Sequence, residues 1–122
     1  MKKICQSYKK QPNKKIMNEE LITMNEVLND GSSIYFYQQE STGIWVTYGY
    51  SAYLLAHMQN IKCLSNFSEH MQMPCVCMTE ADFKKLVIAN MKVIEVKDGY
   101  YHLPTNTNIE QNSYQTWTNS LK

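Results

Sequence analysis

The chain has 122 residues, 43% of them hydrophobic, and a formal net charge of +1. This length predicts one domain with a substantial core. There is no run of 18 apolar residues, which excludes a membrane-spanning helix in the sequence. The basic N-terminal residues lack the apolar stretch of a secretory signal, so a cytoplasmic location is expected.

Charge is distributed unevenly along the chain. All twelve basic residues are lysines, and six of them lie in the first fifteen residues, which contain no acidic residue. The remainder has six lysines against eleven acidic residues, a net charge of −5. A basic segment of this kind either contacts phosphates or serves as a solubilising arm. Without arginine, the chain lacks the planar donor fork that reads guanine.

The N-terminal region predicts an arm followed by a helix. Residues 1–15 are expected to form a flexible basic arm. Apolar residues at helical spacing predict a helix over 16–29, and Gly31 supplies a stop signal because glycine adopts the left-handed conformation that ends helices. The apolar residues of this helix are Met17, Leu21, Met24, Val27 and Leu28.

A hairpin and a second helix follow. Alternating β-branched and aromatic residues predict strands at 33–39 and 44–48, joined by a four-residue turn. Gly49 interrupts this pattern, and the spacing then becomes helical. A second helix is expected at 50–58, with Ser51 as a candidate N-cap.

The next segment predicts two strands and a third helix. Short strands are expected at 61–64 and 73–78, separated by a polar loop at 65–72. Thr79 precedes an acidic first turn and resembles one half of a capping box, which predicts a helix over 80–89. The side chains expected to be buried on this helix are Phe83, Leu86, Val87 and Ala89.

The remaining elements complete the predicted domain. Strands are expected at 92–96 and 100–103 around a tight turn. The polar tail, 105–122, is either disordered or docked in part as a short helix, because Trp117 is unusual in a disordered tail. The sequence thus predicts an α+β domain over 16–104, with a mixed sheet of about six strands and three packed helices.

Two stretches carry a resemblance to a known family. "IYFYQQ" followed by "IWVTYGYSAYLLAHM", and the later "MPCVCMTEADFKKLVIANMKVIEV", resemble the N-terminal mismatch-recognition domain of the MutS proteins. The similarity covers roughly residues 33–103 and implies that fold, with DNA contacted at the junction of hairpin and helix. The family's wedging phenylalanine and its glutamate correspond to Ile44 and Val46, so the mismatch-reading residues are missing. No Walker motif is present.

The resemblance and the charge pattern together predict a non-catalytic nucleic-acid-binding accessory domain with mainly sequence-independent contacts. The expected partner is duplex DNA, and no membrane, metal or cofactor is expected. The candidate nucleic-acid-binding residues are Lys2, Lys3, Lys9, Lys10, Lys14, Lys15, Ile44, Trp45 and Tyr48.

An alternative function rests on the aromatic residues of the hairpin. If Tyr35, Tyr37 and Trp45 share an exposed face, they form a platform for another protein or for a second copy of the chain. If the first helix covers these rings, they belong to the core.

Cysteine and histidine provide little support for an enzyme. Cys75 and Cys77 are interpreted as reduced core thiols that pack as small hydrophobic groups. A redox or transfer reaction would need one of them to be accessible with a lowered pKa. The three histidines are isolated, and the cysteine and histidine spacing does not match a zinc site.

Overall fold

A computed structural model describes residues 19–39, 42–58, 64–89, 93–97, 99–105 and 107–122. These residues form four helices and a six-stranded sheet, so the α+β class is confirmed. In chain order the elements are α1 (Glu19–Leu28), β1 (Ser33–Gln38), β2 (Trp45–Tyr48), α2 (Gly49–Ala56), β3 (Leu64–Ser68), β4 (Met73–Met78), α3 (Glu80–Ala89), β5 (Ile94–Lys97), β6 (Tyr100–Pro104) and α4 (Gln111–Leu121).

The sheet has the strand order β3-β4-β2-β1-β6-β5. Every strand pairing in the described part of the chain is antiparallel, so the prediction of a mixed sheet was wrong. The physical reason is the connectivity, because three successive hairpins (β1–β2, β3–β4 and β5–β6) build the sheet. The described helices number four rather than three, since α4 adds to the expected set.

The turn between β1 and β2 decides which residues share a face. Gln39 and Ile44 close the hairpin, with the Gln39 N–H donating to the Ile44 carbonyl at 2.8 Å. In this register Gln38 lies opposite Trp45, and directly opposed residues point to the same side of a sheet. Trp45 therefore lies on the face of Phe36, not with Tyr35 and Tyr37 as the sequence had suggested.

Helices α2 and α3 pack on an apolar face of the sheet. The Trp45 ring stacks on Phe83, with centroids 3.9 Å apart and planes at 15°, and Phe36 meets Phe83 edge-on. The buried residues of this core are Ile34, Phe36, Trp45, Ala52, Leu54, Leu55, Val76, Met78, Phe83, Leu86 and Leu103.

Helix α1 covers the opposite face, which is aromatic and more polar. Its Ile22 packs among the buried rings, and Tyr37 stacks on Tyr100 with centroids 5.3 Å apart. Tyr37 therefore lies in the core under the first helix, whereas Tyr35 is half-buried and Trp45 is buried on the opposite face. The buried residues here are Ile22, Tyr37, Val46, Tyr48, Cys75, Cys77 and Tyr100.

Several local predictions need correction. Residues 64–68 form the edge strand β3 rather than a loop; this strand is polar, yet Asn66 and Ser68 are buried. The predicted strand at 61–64 falls largely outside the described residues. Ala89 is exposed rather than buried. Thr79 does cap α3, because its hydroxyl accepts the Asp82 N–H at 3.1 Å.

The chain after β6 ends in a helix that contacts α2. Tyr114 of α4 lies against Tyr50 with ring centroids 4.4 Å apart, and Trp117 meets Tyr53 edge-on at 5.6 Å. Thr118 is buried. Aromatic contacts of this kind hold α4 beside α2.

One of the two predicted core thiols, Cys77, differs from expectation. Cys75 is a buried thiol, but Cys77 is disulfide-bonded rather than reduced. Because both side chains are almost fully buried, neither is presented to a substrate. Disulfides persist mainly in oxidising compartments, so the cytoplasmic location remains a prediction.

Candidate functional site

The predicted contact residues of the hairpin are largely buried. Trp45 is 3% exposed and Tyr48 is 2% exposed, while Ile44 is half-buried. The indole N–H of Trp45 donates to the Glu80 carboxylate at 2.8 Å. These rings are therefore components of the core and not a surface on which bases could stack. The six predicted lysines of the N-terminal arm lie outside the described residues.

The strand-to-helix junction is a crowded corner that requires glycine. Gly49 has φ +57°, a conformation that side chains disfavour. A Cβ at this position would lie 3.1 Å from Cγ of Glu26 and 3.2 Å from Sδ of Met73. The glycine thus allows α1 and β4 to approach the start of α2.

Glu26 caps α2 from outside that helix. Tyr48 stands at the N-cap position without a side-chain cap, and Ser51 does not act as the predicted N-cap. Instead, the Ser51 N–H donates to the Glu26 carboxylate at 2.9 Å and its hydroxyl donates at 2.6 Å. A carboxylate at this end of a helix satisfies free N–H groups and complements the helix dipole.

Asn29 extends this polar network between α1, β1 and α2. Its side-chain NH₂ donates to the Ser33 carbonyl at 2.9 Å, with longer bonds to Glu26 and to the Ser51 hydroxyl at 3.3 Å. The Ser51 hydroxyl in turn accepts the Tyr35 N–H at 2.9 Å. The buried groups satisfy one another, so the network is a structural clamp rather than an exposed reactive centre.

The Glu26 carboxyl group has an altered pKa. Burial raises its pKa to about 7, although hydrogen bonds from Ser51 and Asn29 act in the opposite direction. Desolvation penalises the charged carboxylate. Near neutral pH the clamp therefore exists in both protonation states.

Asn25 links the same helix to two tyrosines. Its side-chain NH₂ donates to the hydroxyl oxygens of Tyr37 at 2.9 Å and of Tyr100 at 2.7 Å. Burial raises the pKa of both phenols, so both remain neutral near pH 7. The inward side of α1 is thus held mainly by hydrogen bonds, with Ile22 as its buried aliphatic group.

The outward side of α1 is apolar. Met24, Val27 and Leu28 are 54%, 73% and 74% exposed, and their spacing of three and four residues places them side by side on the helix surface. The apolar residues that identify this helix in the sequence therefore face mainly away from the sheet. We name this outward set the α1 stripe.

The α1 stripe adjoins a shallow groove and acidic ends. Val27 lines this groove together with Tyr50 and Tyr114, with a volume of about 340 Å³. The first turn of α1 carries Glu19 and Glu20, and the helix has no basic residue. The surface thus combines exposed aliphatic groups with negative charge.

A second and larger groove lies elsewhere in the molecule. It has a volume of about 610 Å³ and runs between the C-terminal end of α2 and the segment after β6. His57 lies at its edge, where the Nδ1 atom is 2.7 Å from the Tyr53 carbonyl oxygen. Because a carbonyl only accepts, Nδ1 carries the proton and Nε2 is the ring nitrogen able to accept a further bond.

The described residues contain neither a metal-binding cluster nor a membrane-spanning helix. No group of three or more His, Cys, Asp or Glu side chains is placed there to hold a metal ion. Each helix of the described residues falls short of the length and apolarity needed to cross a membrane.

Sequence reasoning did not identify the clamp residues. Glu26 and Asn29 follow Ile22 at spacings of four and seven, which places all three on one side of a helix. That spacing was available, but the apolar residues of the stripe give a stronger periodic pattern.

Comparisons with protein-family models, characterised proteins and solved structures find no match for this chain.

Proposed function

We propose that this domain is a protein-interaction module that binds its partner through the α1 stripe. The observation that supports the proposal is the reversed polarity of α1: Asn25, Glu26 and Asn29 face the sheet, while Val27 and Leu28 face outward. An amphipathic helix in a monomeric domain normally buries its apolar side. Contiguous exposed aliphatic groups beside an aromatic groove are typical of a docking surface.

The charge around the stripe favours a basic, amphipathic helical partner. Glu20 flanks one end of the stripe and Asp30 follows the other end, while the neighbouring Glu19 carboxylate contacts Nε2 of His70 at 2.5 Å and α1 itself contributes no positive charge. A second copy docked through the same surface would bring like charges together, which disfavours self-association. A helix with an apolar stripe and lysine or arginine at its rim complements both features.

The experiment compares two labelled model peptides by fluorescence anisotropy. Both form amphipathic helices with the same apolar stripe, but one carries a lysine and arginine rim and the other a glutamate rim. We expect the basic peptide to bind at least ten-fold more tightly. Leu28→Ser should weaken that binding about ten-fold because it removes apolar contact area.

The matched control is Ile88→Ser, because Ile88 is 75% exposed on α3 and lies away from the stripe. Equal weakening by both substitutions would contradict the assignment of the surface to α1. Tighter binding after deletion of residues 1–15 would identify the basic arm of the same chain as a competing occupant. A dimer in light scattering that Leu28→Ser dissociates would favour self-association instead.

A second candidate function is nucleic-acid binding, as an accessory domain resembling the MutS mismatch-recognition domain. The observation that favours it is the cluster of six lysines without an acidic residue in the first fifteen positions. Since Trp45 and Tyr48 are buried, phosphate contacts by the arm would supply most of the affinity.

Anisotropy with matched and mismatched DNA duplexes tests this second candidate. Binding should weaken steeply between low and moderate salt and should require residues 1–15, because phosphate contacts release counterions. Duplex binding that is independent of salt or of the arm would contradict the phosphate-contact model. Preference for a mismatch would indicate a reading residue other than Ile44 and Val46.

A further inference from the structure

The larger groove, of about 610 Å³, has the size of a small-molecule site. Its floor is formed by the core residues Ile34, Leu54 and Leu103, and Tyr53 contributes an aromatic wall. Thr107 and Asn108 add polar groups to the lining. An apolar floor with a few polar groups at the rim is the usual composition of a ligand pocket.

One wall of the groove is anchored to the turn after α1. The Thr105 N–H donates to the Ser32 carbonyl at 2.8 Å, and the Thr107 N–H donates to the Gly31 carbonyl at 3.2 Å. A Cβ on Gly31 would lie 1.7 Å from the Thr107 carbonyl oxygen, so this close approach needs glycine. The wall is thus held in place without a ligand, which lowers the ordering cost of binding.

His57 supplies a fixed hydrogen-bond acceptor at the groove. Its Nδ1–H bond to the Tyr53 carbonyl sets the tautomer of the neutral ring, which leaves Nε2 as the acceptor. Tyr53 and Trp117 pack on the imidazole, with centroids 4.3 Å and 5.6 Å away. These contacts limit rotation of the ring.

The described residues that line the groove include no lysine, arginine, aspartate or glutamate. A charged ligand would lose hydration there without gaining an opposite charge, which is costly. An uncharged ligand avoids that cost. The described part of the lining therefore favours an uncharged ligand over organic acids and amines.

We propose that this groove binds an uncharged, largely aromatic small molecule that donates a hydrogen bond to Nε2 of His57. The aromatic part packs on Tyr53 and the aliphatic floor. An N–H or O–H group of the ligand meets the imidazole. This site is separate from the α1 stripe and does not depend on the proposed protein interaction.

The test is a protein-observed NMR titration of the full chain with indole, 1-methylindole and indole-3-acetate. Indole should bind with a Kd on the order of 1 mM, which corresponds to about 4 kcal/mol for a fragment of this size. 1-Methylindole lacks the N–H donor and should bind about five-fold more weakly. Indole-3-acetate should bind about ten-fold more weakly because of its charge.

Two variants separate the hydrogen bond from the cavity. His57→Ala should make indole and 1-methylindole bind equally, since the acceptor is gone and His57 is exposed in the folded chain. Ala89→Phe should weaken both ligands, because Ala89 is an exposed lining residue whose enlargement fills the groove. Spectra of each variant without ligand establish that the fold is retained.

Three results would overturn the proposal. They are equal binding of indole and 1-methylindole to the unmodified chain, tighter binding of indole-3-acetate than of indole, and unchanged indole binding in the Ala89→Phe variant. No shift at any residue of the groove at 10 mM indole would also overturn it.

Discussion

The two faces of the sheet are held by different kinds of interaction. On one face, α2 and α3 pack aliphatic and aromatic side chains against Trp45 and Phe36. On the other, α1 is joined through the carboxylate of Glu26 and the amides of Asn25 and Asn29. The apolar sides of α2 and α3 are buried against the sheet, whereas α1 retains an exposed apolar stripe.

This difference connects stability with function. Hydrogen bonds and the buried Ile22 fix the position of α1, so the exposed aliphatic side chains of the stripe are not needed for attachment to the sheet. Polar networks give a defined geometry but a smaller net stabilisation than apolar burial of similar extent. The helix held by hydrogen bonds is therefore the one whose outer surface keeps its aliphatic groups exposed, as the proposed docking surface requires.

The largest effect is expected from truncation on the apolar face. Phe83→Ala removes the ring that stacks on Trp45 at 3.9 Å and should lower the free energy of unfolding by about 3–5 kcal/mol. Urea denaturation measures this change. Ile88→Ala on the same helix is the control, and its effect should stay within about 0.5 kcal/mol because Ile88 is exposed. Equal effects would contradict the burial of Phe83.

On the polar face, the stability should depend on pH through Glu26. Burial raises the folded pKa of Glu26 from the ordinary carboxyl value of 4.5 to about 7, so the folded state binds the proton more tightly than the unfolded state. The contribution of this proton to the free energy of unfolding is complete below pH 4.5 and is lost as the pH rises through 7. The difference corresponds to about 3 kcal/mol.

Glu26→Gln provides the test of this pH dependence, because glutamine is isosteric and does not titrate. Denaturation at pH 5 and at pH 8 should show a smaller difference for the variant than for the unmodified chain. An identical difference in both proteins would assign the pH dependence to other groups.

Gly49→Ala is expected to have an intermediate effect at the corner between the two faces. The added Cβ meets Glu26 at 3.1 Å in a backbone conformation with φ +57°, and the cost should be about 1–3 kcal/mol. Thermal unfolding measures the loss. Ala56→Gly, at the end of the same helix, controls for a general effect of exchanging these two residues. If Gly49→Ala left the thermal stability unchanged, α1 would have to move away from the added Cβ at little cost.

The smallest effect on stability is expected from Leu28→Ser in the α1 stripe. Leu28 is 74% exposed, so the free energy of unfolding should change by no more than about 0.5 kcal/mol. Denaturation measured beside the peptide-binding assay checks this. A loss of several kcal/mol would place Leu28 in the core and contradict the proposed docking surface.

Local sequence patterns predicted most elements but not their relative orientation. The strand at Met73–Met78 and the helix at Glu80–Ala89 were predicted at these bounds because their patterns are strong and complete within a few residues. The edge strand Leu64–Ser68 was missed, since its polar residues lack a strand pattern. It is paired by β4 rather than by its own propensity.

The candidate sites were less accessible to sequence reasoning. The hairpin register, in which Gln38 lies opposite Trp45, places Trp45 on the face of Phe36. A register shifted by one residue would have placed Trp45 on the opposite face of the sheet. The clamp joins Glu26 to Ser51 across 25 positions. The groove at His57 depends on contacts between α2 and the segment after β6, which are distant in the chain.

The sequence by itself determined the α+β class, the acidic body with its basic N-terminal segment, and the positions of the main helices and strands. These properties follow from composition and from side-chain periodicity over a few residues. Only the tertiary structure decided that α1 turns its polar side inward, because that orientation depends on hydrogen-bond partners from β1, α2 and β6. These long-range hydrogen bonds thus leave exposed the apolar side of α1, which its sequence pattern alone would assign to the core.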